Sequence, residues 1–228
     1  MTQAEAKRAA AKAAVDEVAA LLEGADGEVK VGLGTGSTAT MFVEELAARG
    51  LRVTGVPTSE ATRTLATKLG IPLLDDDGPW GELDLCVDGA DEVSTETLDL
   101  VKGGGGAHTR EKMVNAAARR NVIIVDATKI STKLGEKWHV PVEILRFAFK
   151  ETTRRLGAFG TVKLREKPTD ANNFIADVNA GVIADPAALD RALRAIPGVV
   201  ETGLFIQRAD LVLVAEETGI RRLERGRT

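Results

Sequence analysis

Apolar and polar positions follow two alternating periods along the first half of the chain. The segment Val29–Leu33 alternates apolar with polar or glycine positions, which indicates a β-strand. After a glycine-rich stretch at 34–38, apolar residues recur at helical spacing from Ala39 to Ala47. Strand and helix patterns continue to alternate, and the apolar run Val122–Val125 is typical of a strand buried on both faces of a parallel sheet. This order predicts an α/β fold with a doubly wound, Rossmann-like open parallel sheet and helices on both faces.

The pattern changes after residue 131. Further helices are predicted at Thr2–Gly24, Ser59–Leu69, Thr109–Arg120, Ala148–Leu156 and Pro186–Ala195, the last with Asp185 as its N-cap. Further strands are predicted at Arg52–Val56, Ile71–Leu74, Asp84–Val87, Val140–Leu145, Thr161–Arg165, Phe174–Val178, Val199–Gly203 and Leu211–Ala215. From Val140 the order is β-α-β-β-α-β, that of a ferredoxin-like unit. We therefore expect a small ferredoxin-like α+β domain at 132–205, inserted into a Rossmann-like catalytic domain formed by 1–131 and 206–228.

Composition narrows the class of protein. The chain has 30 basic and 34 acidic residues, a formal net charge of −4, which gives no overall attraction for nucleic acid or an anionic membrane. No apolar run approaches the roughly 18 residues that a membrane span needs, and the charged N-terminal helix is unlike a signal peptide. The single cysteine, Cys86, excludes an intrachain disulfide, and His108 and His139 lie far apart in sequence. We expect a cytosolic protein without a metal or cofactor.

The stretch Gly34–Thr38 lies between a predicted strand and a predicted helix. Its glycines let the backbone approach a ligand, and the helix N-terminus offers unpaired N–H groups to an anion. The hydroxyls of Thr35, Ser37 and Thr38 add donors. The alternative is a tight strand-to-helix turn capped by Ser or Thr. The spacing matches neither the dinucleotide fingerprint nor a phosphate-binding P-loop.

Two carboxylates follow the predicted strand that ends at Val87. Asp88 and Asp91 flank a Gly-Ala turn at the carboxyl end of that strand, where open α/β sheets place their ligands. Mutual repulsion and partial burial are able to raise one of the two pKa values for acid–base work. The alternative is an Asx-type turn with a solvated helix cap. A metal site would need a third ligand that the neighbouring sequence lacks.

A run of four glycines, 103–106, separates a strand from a helix and is flanked by Lys102 and Glu111. Such a run costs conformational entropy and packs no side chains, so it is expected where bare N–H groups face developing negative charge. A flexible linker is the alternative. Lys129 follows the Val122–Val125 strand, where it is able to reach a phosphate or sugar oxygen, although a solvated surface lysine fits the sequence nearly as well.

Together, the ordered motifs GTGST, DGADE, KGGGGAHTRE and DATK resemble those of type A ribose-5-phosphate isomerases over essentially the whole chain. The resemblance implies a Rossmann-like domain with a ferredoxin-like domain, a homodimer or homotetramer, and a sugar phosphate as substrate. It also implies a substrate-binding set formed by Thr35, Gly36, Ser37, Thr38, Asp88, Gly89, Ala90, Asp91, Lys102, Gly103, Gly104, Gly105 and Lys129. Gly106 stands where the family commonly has alanine, and His108 is given no catalytic role.

The resemblance implies a metal-independent isomerisation of ribose 5-phosphate and ribulose 5-phosphate in the non-oxidative branch of the pentose phosphate pathway. Glu111 would carry a proton between C1 and C2 through a cis-enediolate, and Lys102 would stabilise the enediolate oxygen. Asp88 or Asp91 would shuttle the hydroxyl protons, and the motifs leave open which one does so. One rival is a non-catalytic sugar-phosphate sensor, which would keep the phosphate loop but need not retain Glu111 and Lys102 together. The other is an amino-sugar-phosphate deaminase or a CoA transferase, which place their catalytic groups differently.

Overall fold

The computed structural model describes residues 2–25 and 27–226. The chain divides into two compact units, the first formed by Met1–Gly89, Arg110–Thr128 and Ala209–Thr228, and the second by Ala90–Thr109 and Lys129–Arg208. In the described part of the chain, no helix is both long and apolar enough to cross a membrane.

The elements follow one another in mixed α/β order. The helices are α1 Gln3–Glu23, α2 Ser37–Ala48, α3 Glu60–Lys68, α4 His108–Ala117, α5 Phe149–Leu156 and α6 Pro186–Arg194, with short 3-10 helices at Ala127–Lys129 and Gly157–Phe159. The strands are β1 Val29–Leu33, β2 Val53–Pro57, β3 Leu85–Asp88, β4 Glu92–Ser94, β5 Leu100–Val101, β6 Asn121–Asp126, β7 Ile130–Ser131, β8 Val140–Ile144, β9 Thr161–Leu164, β10 Phe174–Asn179, β11 Val199–Thr202, β12 Leu204–Phe205, β13 Leu211–Glu216 and β14 Gly219–Glu224.

The first unit is built on a six-stranded sheet in the order β14-β13-β6-β3-β1-β2. All neighbouring strands pair in parallel except β13 and β14, which form an antiparallel hairpin at the edge. β13 therefore returns from the far end of the sequence to lie beside β6. The predicted α/β class, with an open parallel sheet, is confirmed.

Helices cover both faces of this sheet. The long helix α1 begins at a capping box of Thr2 and Glu5 and buries small side chains, such as Ala10 and Ala14, against strand residues including Val31. Because successive strand residues point to opposite faces, Gly32 faces the other way, where a Cβ would lie 2.6 Å from Val114 of α4. Glycine at this position thus lets α4 approach the second face closely.

The second unit contains a four-stranded sheet in the order β11-β8-β10-β9, paired antiparallel throughout. Its elements follow the chain order β8-α5-β9-β10-α6-β11, so the predicted ferredoxin-like unit is present. The side chain of Asp185 accepts the backbone N–H of Ala188, which confirms the predicted N-cap of α6. A core of Val142, Ile144, Leu156 and neighbouring apolar residues fills this unit.

Some elements differ from the sequence-based expectation. Ile71–Leu74 is not a strand; it contributes a single bridge between Leu73 and Gly55, because the chain turns away after one pairing. A second four-stranded sheet, β12-β5-β4-β7, has strands too short to leave a period in the sequence. It belongs to the second unit, as does the whole segment Ala90–Thr109. The small domain expected at 132–205 stays a prediction.

Gly160, which precedes β9, provides a test of the second unit's packing. Its φ is +146°, and a Cβ there would overlap the carbonyl oxygen of Asn179. Gly160→Ala should lower the free energy of unfolding by about 2 kcal/mol or more, from backbone strain and overlap together. Gly157→Ala is the matched control, because its φ is −58° and no atom lies within 4 Å of the added carbon. Urea denaturation should show little change or a small gain for the control, and equal losses in both variants would contradict this account.

Candidate active site

The carboxylate of Asp88 organises the glycine-rich loop of the first unit. β1 and β3 pair in parallel, so their carboxyl ends lie at the same edge of the sheet. Asp88 ends β3 with 2% of its surface exposed, and its Oδ1 accepts the N–H groups of Thr35 at 3.0 Å and Gly89 at 2.7 Å. A Cβ on Gly34 would overlap this carboxylate. The glycine is therefore required for the close approach of the loop to Asp88.

The loop delivers the chain into α2 with its first amide groups accessible. Gly36, at φ +103°, precedes the helix, and no side chain caps it. Ser37 is exposed at the first helical position, and Lys7 Nζ of α1 donates to its Oγ at 2.9 Å. A helix N-terminus beside an ammonium group is a favourable place for a phosphate. Lys7 was missed in the sequence because it lies 30 residues before Ser37 on a separate helix.

The hydroxyl of Thr35 has a different role from that of Ser37. Its Oγ1 lies 2.7 Å from Thr58 Oγ1 and donates to Ser59 Oγ at 2.9 Å. Ser59 also accepts the backbone N–H of Thr62 and so caps α3. Thr35 thus ties the loop to the start of α3, and its backbone amide binds Asp88. Thr38, partly buried, follows Ser37 in the first turn of α2.

Glu111 lies in the first turn of α4 with 3% of its surface exposed. A carboxylate that served only the helix dipole would gain most of that benefit at the surface, whereas burial penalises its charged form. The next residue toward the N-terminus, Arg110, is held by Glu60 at 2.7 Å. Burial therefore separates Glu111 from an ordinary first-turn acid.

In the second unit, the glycine run forms a hydrogen-bonded turn against Asp91. Oδ2 of Asp91 accepts the N–H of Gly104 at 2.6 Å, and a Cβ on Gly104 would lie 2.6 Å from the other carboxylate oxygen. Gly103 has φ +114°, and Gly106 N–H closes the turn onto its carbonyl at 3.0 Å. Gly105 lies exposed within the turn. These contacts order the run, unlike a flexible linker.

His108 follows the run and is fully buried. Its Nε2 lies 3.3 Å from the carbonyl oxygen of Glu201, and a Cβ on Gly103 would lie 2.7 Å from its Nδ1. The ring therefore packs beneath the turn and supports its shape.

Lys102 and Lys129, the two lysines expected to bind substrate, lie over aromatic rings in the second unit. Lys102 is 3% exposed, its Nζ lies 5.4 Å from the centroid of Phe205, and its N–H binds the carbonyl of Gly203 at 2.9 Å. Lys129 Nζ lies 4.9 Å from the centroid of Trp138. A cation is attracted to the face of an aromatic ring, so these contacts restrict the two lysine side chains.

Among residues 2–25 and 27–226, no group of three or more His, Cys, Asp or Glu side chains is arranged to hold a metal ion.

Comparison with known proteins identifies the family. The family model of ribose 5-phosphate isomerase A (phosphoriboisomerase A) matches residues 54–219. Ribose-5-phosphate isomerase A of Thermomicrobium roseum is 49% identical, with 87% of each chain covered. The chain belongs to the ribose 5-phosphate isomerase A family. The corresponding protein of Bradyrhizobium diazoefficiens is 44% identical, over 99% of this chain and 98% of the relative.

Solved members of the ribose 5-phosphate isomerase A family share the fold over nearly the full length. The structure from Methanocaldococcus jannaschii has a TM-score of 0.87 and 38% identity, covering 98% of this chain and all of the other. A D-ribose-5-phosphate isomerase in complex with phospho-erythronic acid has a TM-score of 0.89 and 36% identity, covering 99% of this chain and 100% of that one. The predicted family resemblance is confirmed, while the individual site residues stay predictions.

Lys7→Met tests the anion site at α2. The Lys7 ammonium lies beside Ser37, where it is expected to donate a hydrogen bond to a bound phosphate. Its removal should lower the affinity for inorganic phosphate by about tenfold, because a hydrogen bond to a charged group contributes about 1.5 kcal/mol. Isothermal titration calorimetry measures this directly. Lys12→Met, at an exposed position on the same helix, is the control and should bind phosphate as the unmodified protein does. Equal affinities for all three proteins would exclude Lys7 from the anion site.

Proposed function

We propose that this protein interconverts D-ribose 5-phosphate and D-ribulose 5-phosphate, as the names of its relatives indicate, in the non-oxidative branch of the pentose phosphate pathway. The reaction class rests on family membership across the matched residues. The observation that carries the mechanism is the buried position of Glu111 in the first turn of α4.

Aldose–ketose interconversion moves one proton between neighbouring carbons. Glu111 acts as the general base: it removes the proton from C2 of the open-chain aldose and returns a proton to C1 of the resulting cis-enediolate. Glutamate is one of the side chains that act as general bases, and the Glu111 carboxylate is held on a helix with 3% of its surface exposed. No redox cofactor is needed, since the substrate is oxidised at one carbon and reduced at the next.

The enediolate oxygens carry the negative charge that must be stabilised. Lys102 provides a buried ammonium, and the amides of Gly103 and Gly105 provide backbone donors without side chains in the way. The Gly104 N–H orients the Asp91 carboxylate beside the substrate. Asp88 and Asp91, with the intervening Gly89 and Ala90, contact the sugar hydroxyls, and one of the two aspartates shuttles protons for ring opening and between O1 and O2. The backbone bonds made by Asp88 to Thr35 and Gly89 fix its orientation for that task.

The phosphate is bound at the other end of the substrate. The α2 N-terminus, with Gly36, Ser37 and Thr38, provides amide and hydroxyl donors, and Lys7 provides a charge beside them. Lys129, oriented by Trp138, contacts a phosphate or sugar oxygen. These interactions bind the phosphate group equally well in the substrate and in the transition state, so they affect KM more than kcat.

The phospho-erythronic acid bound by a relative fits this scheme. A four-carbon acid phosphate places a planar carboxylate where a five-carbon sugar phosphate would develop its enediolate. We expect the same compound to inhibit this protein in competition with ribose 5-phosphate.

A cytosolic location and a homodimeric or homotetrameric assembly stay predictions.

Glu111→Gln tests the base. The amide keeps the size of the side chain but is unable to accept the C2 proton, so kcat should fall about 10²–10⁴-fold with little change in KM. The measurement is conversion of D-ribose 5-phosphate by the purified protein. Glu151→Gln is the matched control, because Glu151 is also a first-turn acid but lies exposed on α5. Near-normal turnover by Glu111→Gln would refute the assignment, whereas loss of turnover in both variants would point to a general helix effect.

A further inference from the structure

An ion pair in the ferredoxin-like sheet reaches the glycine run. Arg165 follows β9, and Asp177 lies on the neighbouring strand β10. The guanidinium donates from Nε to Asp177 Oδ2 at 2.8 Å and from Nη2 to Oδ1 at 2.7 Å, a bidentate arrangement. The two side chains are 23% and 19% exposed, so the pair is well shielded for surface charges. Asp177 thereby fixes the plane and direction of the guanidinium.

The remaining nitrogen of Arg165 binds the glycine run itself. Nη1 donates to the carbonyl oxygen of Gly103 at 2.7 Å and to that of Gly104 at 3.2 Å. Two consecutive carbonyl groups therefore face the same cation. This arrangement needs a donor fork with several fixed directions, which arginine has and lysine lacks.

Peptide geometry gives this contact a consequence for the other side of the run. In a planar trans peptide the N–H points opposite to the C=O. When Arg165 holds the carbonyls of Gly103 and Gly104, the N–H groups of Gly104 and Gly105 face away from it. The Gly104 N–H does so, since it donates to Asp91 Oδ2 at 2.6 Å. The peptide between Gly103 and Gly104 is thus held at both ends.

Glycine peptides need such a restraint because they rotate easily. Without a Cβ, residues in the run have access to conformations on both sides of φ zero. A rotation that turned the Gly104 carbonyl toward an anion would replace an attractive dipole with a repulsive one. The cation beneath the carbonyls opposes that rotation.

We propose that Arg165 is a positioning residue for catalysis, which fixes the Gly105 amide toward the enediolate while Asp177 holds its guanidinium. This inference rests on the proposed function and extends it to residues that do not touch substrate. Arg165 acts on kcat and on binding of anions that resemble the enediolate. It leaves the phosphate end of the site unchanged.

The test compares two anions in Arg165→Met, Arg165→Lys and the unmodified protein. Phospho-erythronic acid presents a carboxylate as well as a phosphate, whereas inorganic phosphate probes the phosphate site alone. Arg165→Met should lower kcat for ribose 5-phosphate and weaken inhibition by phospho-erythronic acid, each by about 10²-fold, as misplacement of catalytic groups does. The inhibition constant for inorganic phosphate should change less than about twofold. The kcat of Arg165→Lys and its inhibition by phospho-erythronic acid should lie between those of Arg165→Met and the unmodified protein.

Arg154→Met is the matched control. It removes an arginine that also pairs with a carboxylate in the second unit, Glu151, but its side chain is 71% exposed. This variant should keep the kcat and both inhibition constants of the unmodified protein. Thermal melts of all variants verify folding, and Asp177→Asn provides a second, milder route to the same loss if Arg165→Met fails to fold.

Chemical rescue separates positioning from general stability. A cavity of about 270 Å³, lined by Lys137, Trp138, His139, Arg165 and Asp177, borders the ion pair and gives small cations access to it. In Arg165→Ala, millimolar guanidinium should restore part of kcat, whereas urea at the same concentration should not.

The outcomes are distinguishable. Unchanged kcat in Arg165→Met, equal weakening of both anions, or absence of rescue in Arg165→Ala would overturn the positioning role. Failure of the unmodified protein to convert ribose 5-phosphate would instead refute the proposed function, independently of Arg165.

Discussion

The hydrogen bonds that Asp88 Oδ1 accepts from Thr35 and Gly89 are the constraint on which the glycine-rich loop of the first unit depends. A buried carboxylate needs such donors, because burial without them would cost several kcal/mol. Gly34 has no side chain because a Cβ would overlap that carboxylate. The loop is therefore fixed where β1 ends, directly before α2 begins at Ser37. One interaction thus fixes both the orientation of Asp88 and the position of the loop that precedes α2.

Periodicity predicted the fold wherever an element was long enough to bury a face. The run at Val122–Val125 and the return strand Leu211–Glu216 are apolar on both sides and lie next to each other in the sheet. The strands β4, β5 and β7 left no such signal, since two or three residues contain no full period. The edge strand β14 was missed for another reason: its charged residues Arg221, Arg222 and Glu224 are exposed and interrupt any apolar alternation. The predicted strand at Ile71–Leu74 was wrong, because the chain turns away from β2 after a single bridge between Leu73 and Gly55.

The candidate site was predictable where chemistry was local in sequence. Glycines beside carboxylates and a lysine marked three loops, and these loops lie at strand ends as expected. Lys7 and Arg165 were not found, because their contacts join positions that are 30 and about 60 residues apart and depend on tertiary structure. Burial also changed the meaning of Glu111, which sequence alone could not separate from a helix-dipole acid. The motifs therefore predict the residues proposed to react, whereas Lys7 and Arg165 are found only from long-range contacts in the structure.

A protein base that moves a proton between C1 and C2 of ribose 5-phosphate gives an isotope distribution that a hydride shift does not. The most direct measurement is proton NMR of D-ribose 5-phosphate incubated with the purified protein in D₂O until many turnovers have passed. Proton transfer through an enediolate predicts that deuterium accumulates at C2 of the aldose and at C1 of the ketose. Conversion to ribulose 5-phosphate without deuterium at either carbon would indicate a hydride shift and contradict the account.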